Sequence, residues 1–173
     1  MESLPNEPLN IPKSIYNGRQ QRFLSQLSPS DLVIITTPPE AVRSNDVTYP
    51  FRTSSDMLYL VGWADPESAL VFHYDGSKWI SHIFVQPKDT LKEIWEGRRP
   101  GIEGALSEWS VDKASSIHDL EKHLDGYLSK SSTVHVRTGI SDGIDTIVPV
   151  SYTHLRAHET RGNLVWRLVL EKK

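Results

Sequence analysis

Residues 69–85, ALVFHYDGSKWISHIFV, constrain the fold more than any other stretch of this chain. Leu70, Phe72 and Tyr74 alternate with Ala69, Val71 and His73, so a strand here is apolar on both faces for most of its length. Asp75-Gly76 is a strong hairpin signal, because glycine supplies the positive φ that tight hairpin turns demand. Lys78–Val85 then forms the returning strand, with His73 and His82 expected to face each other across the pair. A second run, Leu32 to Thr36, is also apolar on alternate sides, the mark of a strand covered from two directions. Pro38-Pro39 stops it.

Helical patterns fill the intervals. Ile15, Phe23, Leu24 and Leu27 can share one face of a helix over 14–27, which Ser28-Pro29 ends. After a loop from Arg43 to Asp56, Leu58–Val61 reads as a strand closed by Gly62 and the Asp65-Pro66 turn. Asp89 can cap a short helix running through Trp95, with Gly97 terminating it. Ser116 can cap another over 116–128, whose apolar stripe is Ile117, Leu120, Leu124, Tyr127 and Leu128. Thr133–Arg137 is a last short strand. This succession predicts an α/β fold, a mixed β-sheet flanked by helices. A chain of 173 residues suits one domain and can bury roughly 70% of its unfolded surface.

Composition excludes several classes. The net charge is −3, without the clustered lysine and arginine of a nucleic-acid face. There is no cysteine, hence no disulfide framework and no thiolate zinc site. No apolar run approaches the ~20 residues of a membrane span. The first dozen residues lack the charged and apolar blocks of a signal peptide, so a cytoplasmic location is expected.

Residues 151–173 stand apart, with five Lys/Arg against two Asp/Glu. SYTHLRAHET followed by a leucine-rich stretch ending in EKK resembles a translated sequencing adapter, which places the expected native end near 148–150. The tail holds His154 and His158 at helical i, i+4 spacing. In HxxxHE, however, the glutamate follows the second histidine and misses the usual general-base position, so no metal site is read there.

Elsewhere the chemistry is sparse. His118 and His123 are five apart, on different helix faces, and His73 with His82 make two ligands where a metal needs three or four. No serine lies in a G-x-S-x-G turn, and Gly139, Asp142 and Gly143 sit in ordinary turn composition rather than a phosphate loop.

Two runs carry more information: RSNDVTYPFRTSSDMLYLVG at 43–62 and EIWEGRR at 93–99. Arg43, Asp46, Tyr49-Pro50-Phe51-Arg52, Ser55-Asp56, Tyr59-Leu60, Gly62, Pro66-Glu67, Phe84-Val85 and Pro87-Lys88-Asp89 add to them. Together they resemble the N-terminal domain of aminopeptidase P, over roughly 14–148. The resemblance implies a mixed sheet flanked by helices and a domain that does no chemistry itself. It divides the chain into an extension at 1–13, the domain at 14–150 and a non-native tail at 151–173. The full-length enzyme it implies removes a residue lying before proline, using two metals, usually manganese, held by two aspartates, a histidine and two glutamates on the following domain. Homo-oligomeric assembly and Xaa-Pro peptide substrates are further implications, and this chain itself is expected to bind no metal. Alternatives are a stand-alone binding or assembly module and the related N-terminal domains of prolidases and creatinases.

Asp46, Arg52 and Asp56 are expected to form a buried ion-pair network joining the loop to the sheet edge, since a buried carboxylate needs a partner. Trp95 lies among Glu93, Glu96, Arg98 and Arg99, a polar setting that suits an indole with one wet edge. In the family the tryptophan of this motif points toward a neighbouring subunit's active site, which implies that Trp95 lines a substrate pocket in trans. The isolated domain is also expected to leave an apolar sheet face for the catalytic domain to cover.

Overall fold

The computed structural model describes residues 10–45, 47–140 and 146. Its centre is a five-stranded sheet in the order β6-β5-β4-β1-β7. The expected hairpin is its middle: β4 (Ala69–Tyr74) pairs antiparallel with β5 (Trp79–Val85). β1 (Asp31–Thr36) lies antiparallel to β4 on the other side. The edges are parallel additions, β7 (Thr133–Val136) beside β1 and β6 (Lys113–Ser116) beside β5. The sheet is therefore mixed, and its alternation sorts the core into two halves. Val33, Leu70, Phe72, Ile83 and Val85 point to one face, while Leu32, Ile34, Ala69, Val71 and Phe84 point to the other.

On the first face lie α1 (Lys13–Leu24), α2 (Ser55–Leu60) and α4 (Gly101–Glu108). The helix α1 buries Tyr16, Gln20 and Leu24, spaced four apart, and leaves Ile15 exposed, so the face expected through Ile15 and Phe23 is rotated. A glutamine rather than a leucine fixes that rotation. Gln20 Nε2 donates to Leu60 O at 3.0 Å and to Ser110 O at 2.9 Å, satisfying carbonyls at the ends of two other segments. Trp63 and Trp109 meet edge to face beneath these helices, ring centroids 4.8 Å apart. Trp63 Nε1 donates to Ser68 Oγ at 2.9 Å, and Trp109 Nε1 to Gly62 O at 3.2 Å.

The strand expected at Leu58–Val61 is instead the helix α2. Ser54 caps it by accepting from Met57 N at 3.3 Å, and Met57, Leu60 and Val61 are buried at helical spacing. Gly62, at φ +73°, ends it by donating its N–H to Met57 O and Leu58 O, both at 3.1 Å. The preceding loop contains a small exposed hairpin, β2 (Val42–Ser44) and β3 (Val47–Thr48).

On the second face α5 (Leu120–Leu128) buries Leu120, Leu124 and Leu128, as its stripe predicts. A 3-10 turn at Ile117–Asp119 leads into it, with Ser116 Oγ accepting from His118 N at 3.3 Å. Both sheet faces thus carry helices, so the apolar face expected to stand bare is covered. Exposed apolar side chains sit at the periphery: Val42, Val47 and Tyr49 on the small hairpin, and Leu91 and Ile94 on α3 (Thr90–Glu96). Residues 151–173, with His154 and His158, and Asp142 and Gly143 lie outside the described residues.

Candidate functional site

The EIWEGRR run forms a clamped turn at the end of β5. Asp89 Oδ1 accepts from Leu91 N at 3.0 Å and starts α3, and Gly97 at φ +88° ends it. The chain is then tied back to the helix, because Arg99 N donates to Glu93 Oε1 at 2.9 Å. It is also tied to the sheet: Arg99 Nη1 donates to Gln86 Oε1 at 3.0 Å, and Gln86 Nε2 donates to the Glu67 carboxylate. Arg98 pairs with Glu108 on α4. Asp65 lies within the field of both arginines, yet burial dominates and pushes its carboxyl up to about 6. These contacts hold a short helix at both ends while its outer residues Leu91 and Ile94 remain 74% and 72% exposed. Trp95 belongs to that helix, and its side chain lies outside the described residues.

The expected network of Asp46, Arg52 and Asp56 does not take that form. Arg52 and Asp56 are exposed. Arg52 Nη2 donates to Ser55 Oγ at 3.2 Å, and Asp56 faces Arg137 at 3.9 Å. Because the segment after Ser54 is a helix on the surface, not a strand under a loop, its carboxylate points to solvent. Asp46 lies outside the described residues.

A second polar assembly occupies the α5 side of the hairpin. His82 is paired with Val71 in register and His73 with Ile80, so the two histidines are diagonal neighbours on one face rather than directly opposite. His82 is buried on that face, with Nδ1 2.7 Å from Tyr127 Oη and Nε2 2.9 Å from Ser115 Oγ. A neutral imidazole here donates through one nitrogen and accepts through the other, so both ring nitrogens are satisfied. Burial lowers its pKa to about 4, helped by His123, Lys113 and His73. His73 stacks on Tyr127 with centroids 4.2 Å apart, and His123 meets His82 edge-on at 5.2 Å. The sequence kept His118 and His123 apart, and the structure agrees, since His118 is exposed and only His123 joins the group. What the sequence reading missed was the i, i+4 pair His123 and Tyr127 flanking the α5 stripe, and the strand that carries Lys113 and Ser115.

Neither assembly suits a pair of metal ions. Both nitrogens of His82 are engaged by hydroxyls, and among the described residues no three His, Asp or Glu side chains group in a way that could hold a metal. The donor set of a dinuclear centre is not present in them.

Residues 16–136 match the family described as aminopeptidase P, N-terminal domain. The chain belongs to that family. It is 33% identical over 141 residues to the Xaa-Pro aminopeptidase of Haemophilus influenzae, covering 82% of this chain and 33% of that protein. It is 31% identical over 147 residues to the Xaa-Pro aminopeptidase of Escherichia coli K12, covering 84% and 33%. The intermediate cleaving peptidase 55 of Saccharomyces cerevisiae shares 32% over 123 residues, 69% of this chain and 24% of that one. Among solved structures, Escherichia coli aminopeptidase P in its low-pH form superposes with a TM-score of 0.78 at 31% identity, covering 86% of this chain and 34% of that one. Proline aminopeptidase P II from Yersinia pestis gives 0.77 at 32%, with the same coverage. The chain thus spans about a third of the length of the relatives it matches most fully, and it aligns with the N-terminal part of the aminopeptidase P architecture. The Escherichia coli enzyme has also been solved in a zinc-substituted form with product.

Proposed function

We propose that this chain is the assembly and substrate-mouth domain of a metal-dependent Xaa-Pro aminopeptidase and carries out no hydrolysis by itself. The observation that carries this reading is the family match over 16–136 together with coverage of only about a third of the relatives' length. In the complete enzyme two metals, manganese in this reading, supply carbonyl polarisation and water activation from the portion this chain does not align with. Peptides with proline in the second position are the proposed substrates, and the proposed partners are the catalytic portion and further copies of the enzyme.

The clamped α3 turn supports an assembly role, since exposed apolar side chains on a short helix fixed at both ends suit a docking surface. Trp95 is proposed to reach from this turn into a neighbouring subunit's substrate pocket. Two experiments test the reading. The 173-residue chain with manganese should leave an Xaa-Pro peptide uncleaved; robust turnover overturns the non-catalytic role. A chimera placing residues 14–148 before the catalytic portion of the Haemophilus influenzae enzyme should cleave the peptide, and Trp95→Ala in that chimera should raise KM more than it lowers kcat. An unchanged KM removes Trp95 from the substrate mouth.

A further inference from the structure

Glu67 holds a backbone conformation that its side chain makes unfavourable. Its φ is +47°, in the left-handed region where glycine and asparagine are at ease and a longer residue is not. The surrounding turn imposes that conformation. Glu67 N donates to Pro38 O at 3.2 Å, Ser68 N to Thr37 Oγ1 at 2.8 Å, and Ser68 Oγ to Pro66 O at 3.0 Å. None of these bonds uses the glutamate side chain, so glycine would serve the turn with less strain. Strain kept at such a position points to a task for the side chain.

That side chain meets Gln86. Gln86 Nε2 donates to the Glu67 carboxylate, and Gln86 Oε1 accepts from Arg99 Nη1 at 3.0 Å. The order matters, because an amide turned the other way would set its oxygen against the carboxylate and its N–H groups against the guanidinium. Glu67 therefore fixes the orientation in which Gln86 can hold Arg99, and both bonds of the relay are charge-assisted. Arg99 N in turn donates to Glu93 Oε1 at 2.9 Å, so the relay ends on α3. Asp65 also attracts Arg98 and Arg99, but Coulomb attraction alone does not set the plane of a guanidinium, which a hydrogen bond does. We infer that Glu67 is a positioning residue: through Gln86 and Arg99 it sets the placement of α3, the helix that carries Trp95, against the sheet. Its consequence for substrate rests on the substrate-mouth role proposed for Trp95; its hold on α3 does not.

Amide hydrogen exchange of the 173-residue chain, read over residues 90–99 and over β4 and β5, tests the hold on α3. Glu67→Gly removes the carboxylate and relieves the backbone. The urea midpoint should stay or rise, while exchange over 90–99 becomes about fivefold faster or more. Gln86→Leu breaks the relay at its middle and should give the same acceleration. Glu67→Gln keeps an oxygen that accepts from Gln86 and should return exchange to within about twofold of the parent. In the chimera with the Haemophilus influenzae catalytic portion, Glu67→Gly and Gln86→Leu should raise KM about threefold or more, with kcat changed less than about twofold. Unchanged exchange over 90–99 in either variant overturns the proposal, as does acceleration that extends equally to β4 and β5, the mark of general loosening. Faster exchange over 90–99 with an unchanged KM keeps Glu67 as the positioner of α3 and removes that helix from the substrate mouth, so the two readings fail separately.

Discussion

Replacing Gly62 by alanine tests the packing between α1 and α2 at its tightest point. The residue sits at φ +73°, where an L side chain clashes with its own backbone; that conformation costs alanine roughly 1–2 kcal/mol relative to glycine. A Cβ there would also lie 2.4 Å from Tyr16 Oη, 2.7 Å from its Cζ and 3.3 Å from Cε1. Tyr16 is buried and cannot simply swing into solvent, so the second contribution is that of an overpacked core, about 1–3 kcal/mol. The sum, about 2–5 kcal/mol, should lower the urea midpoint by roughly 1–2 M at unchanged slope. Fluorescence of the buried Trp63 and Trp109 reports the transition. Tyr16→Phe separates the two contributions. Its hydroxyl is buried without a hydrogen-bond partner among the described residues, so removing it should be neutral or stabilising by up to about 1 kcal/mol. In that background Gly62→Ala should cost less, though not nothing, because the Cζ contact remains. A Gly62→Ala chain within about 0.5 kcal/mol of the parent would refute the close-approach argument.

Ser68→Ala should destabilise by about 1–3 kcal/mol, since it strands the buried Trp63 indole N–H, and a urea titration reads the loss. The depressed pKa of His82 makes stability fall with pH in mild acid. Above the unfolded value of 6.5 the ring is neutral in both states; as pH falls from 6.5 toward 4 the unfolded chain takes up the proton first and stability declines. His82→Gln should flatten that part of a stability–pH curve, and an unchanged slope assigns it elsewhere. Asp65 acts with the opposite sign, its folded pKa near 6 lying above the ordinary carboxyl value of 3.8. Its protonated form favours the fold at low pH, and that contribution is lost as pH rises through 6. Asp65→Asn should therefore raise the urea midpoint at pH 7.5 and leave it nearly unchanged at pH 3.5; a fall at pH 7.5 would mean the arginines' attraction outweighs burial.

The parts of the fold legible in the sequence are those where one short window contains its own explanation. The β4–β5 hairpin needed only alternation and Asp75-Gly76, and α5 only the Leu120, Leu124, Leu128 stripe behind a serine cap. The errors arose where a neighbouring segment decides. MLYLV has the look of a buried strand, yet Ser54 caps it and Gly62 closes it, and a helix of six residues buries Met57 and Leu60 while sparing Tyr59. Helix α4 was missed because Gly101 and Gly104 weaken its propensity; its place is set by Ala105 packing into the core and by Arg98 reaching Glu108. Strand β6, KASS, has no apolar period; backbone pairing to β5, the Ser115–His82 hydrogen bond and the packing of Ala114 hold it at the edge.

The same distinction governs the sites. The aminopeptidase P likeness was readable because its residues lie in short continuous runs, and in one of them, EIWEGRR, Arg99 is bonded back to Glu93 six residues earlier. The histidine assembly draws on β4, β5, β6 and α5, with His82 reaching Ser115 and Tyr127 across 33 and 45 residues. No linear spacing encodes that convergence. It follows from sheet order, in which β6 adds parallel to β5 at the sheet edge, and from the one-sided stripe that lays α5 over the hairpin. Both assemblies therefore depend on the same strand: Gln86, the residue after β5, bonds Arg99, and the middle of β5 carries the histidine that orders the α5 face. A change within β5 that shifts register by one residue would exchange its two faces, removing His82 from Tyr127 and displacing Gln86 from Arg99 together.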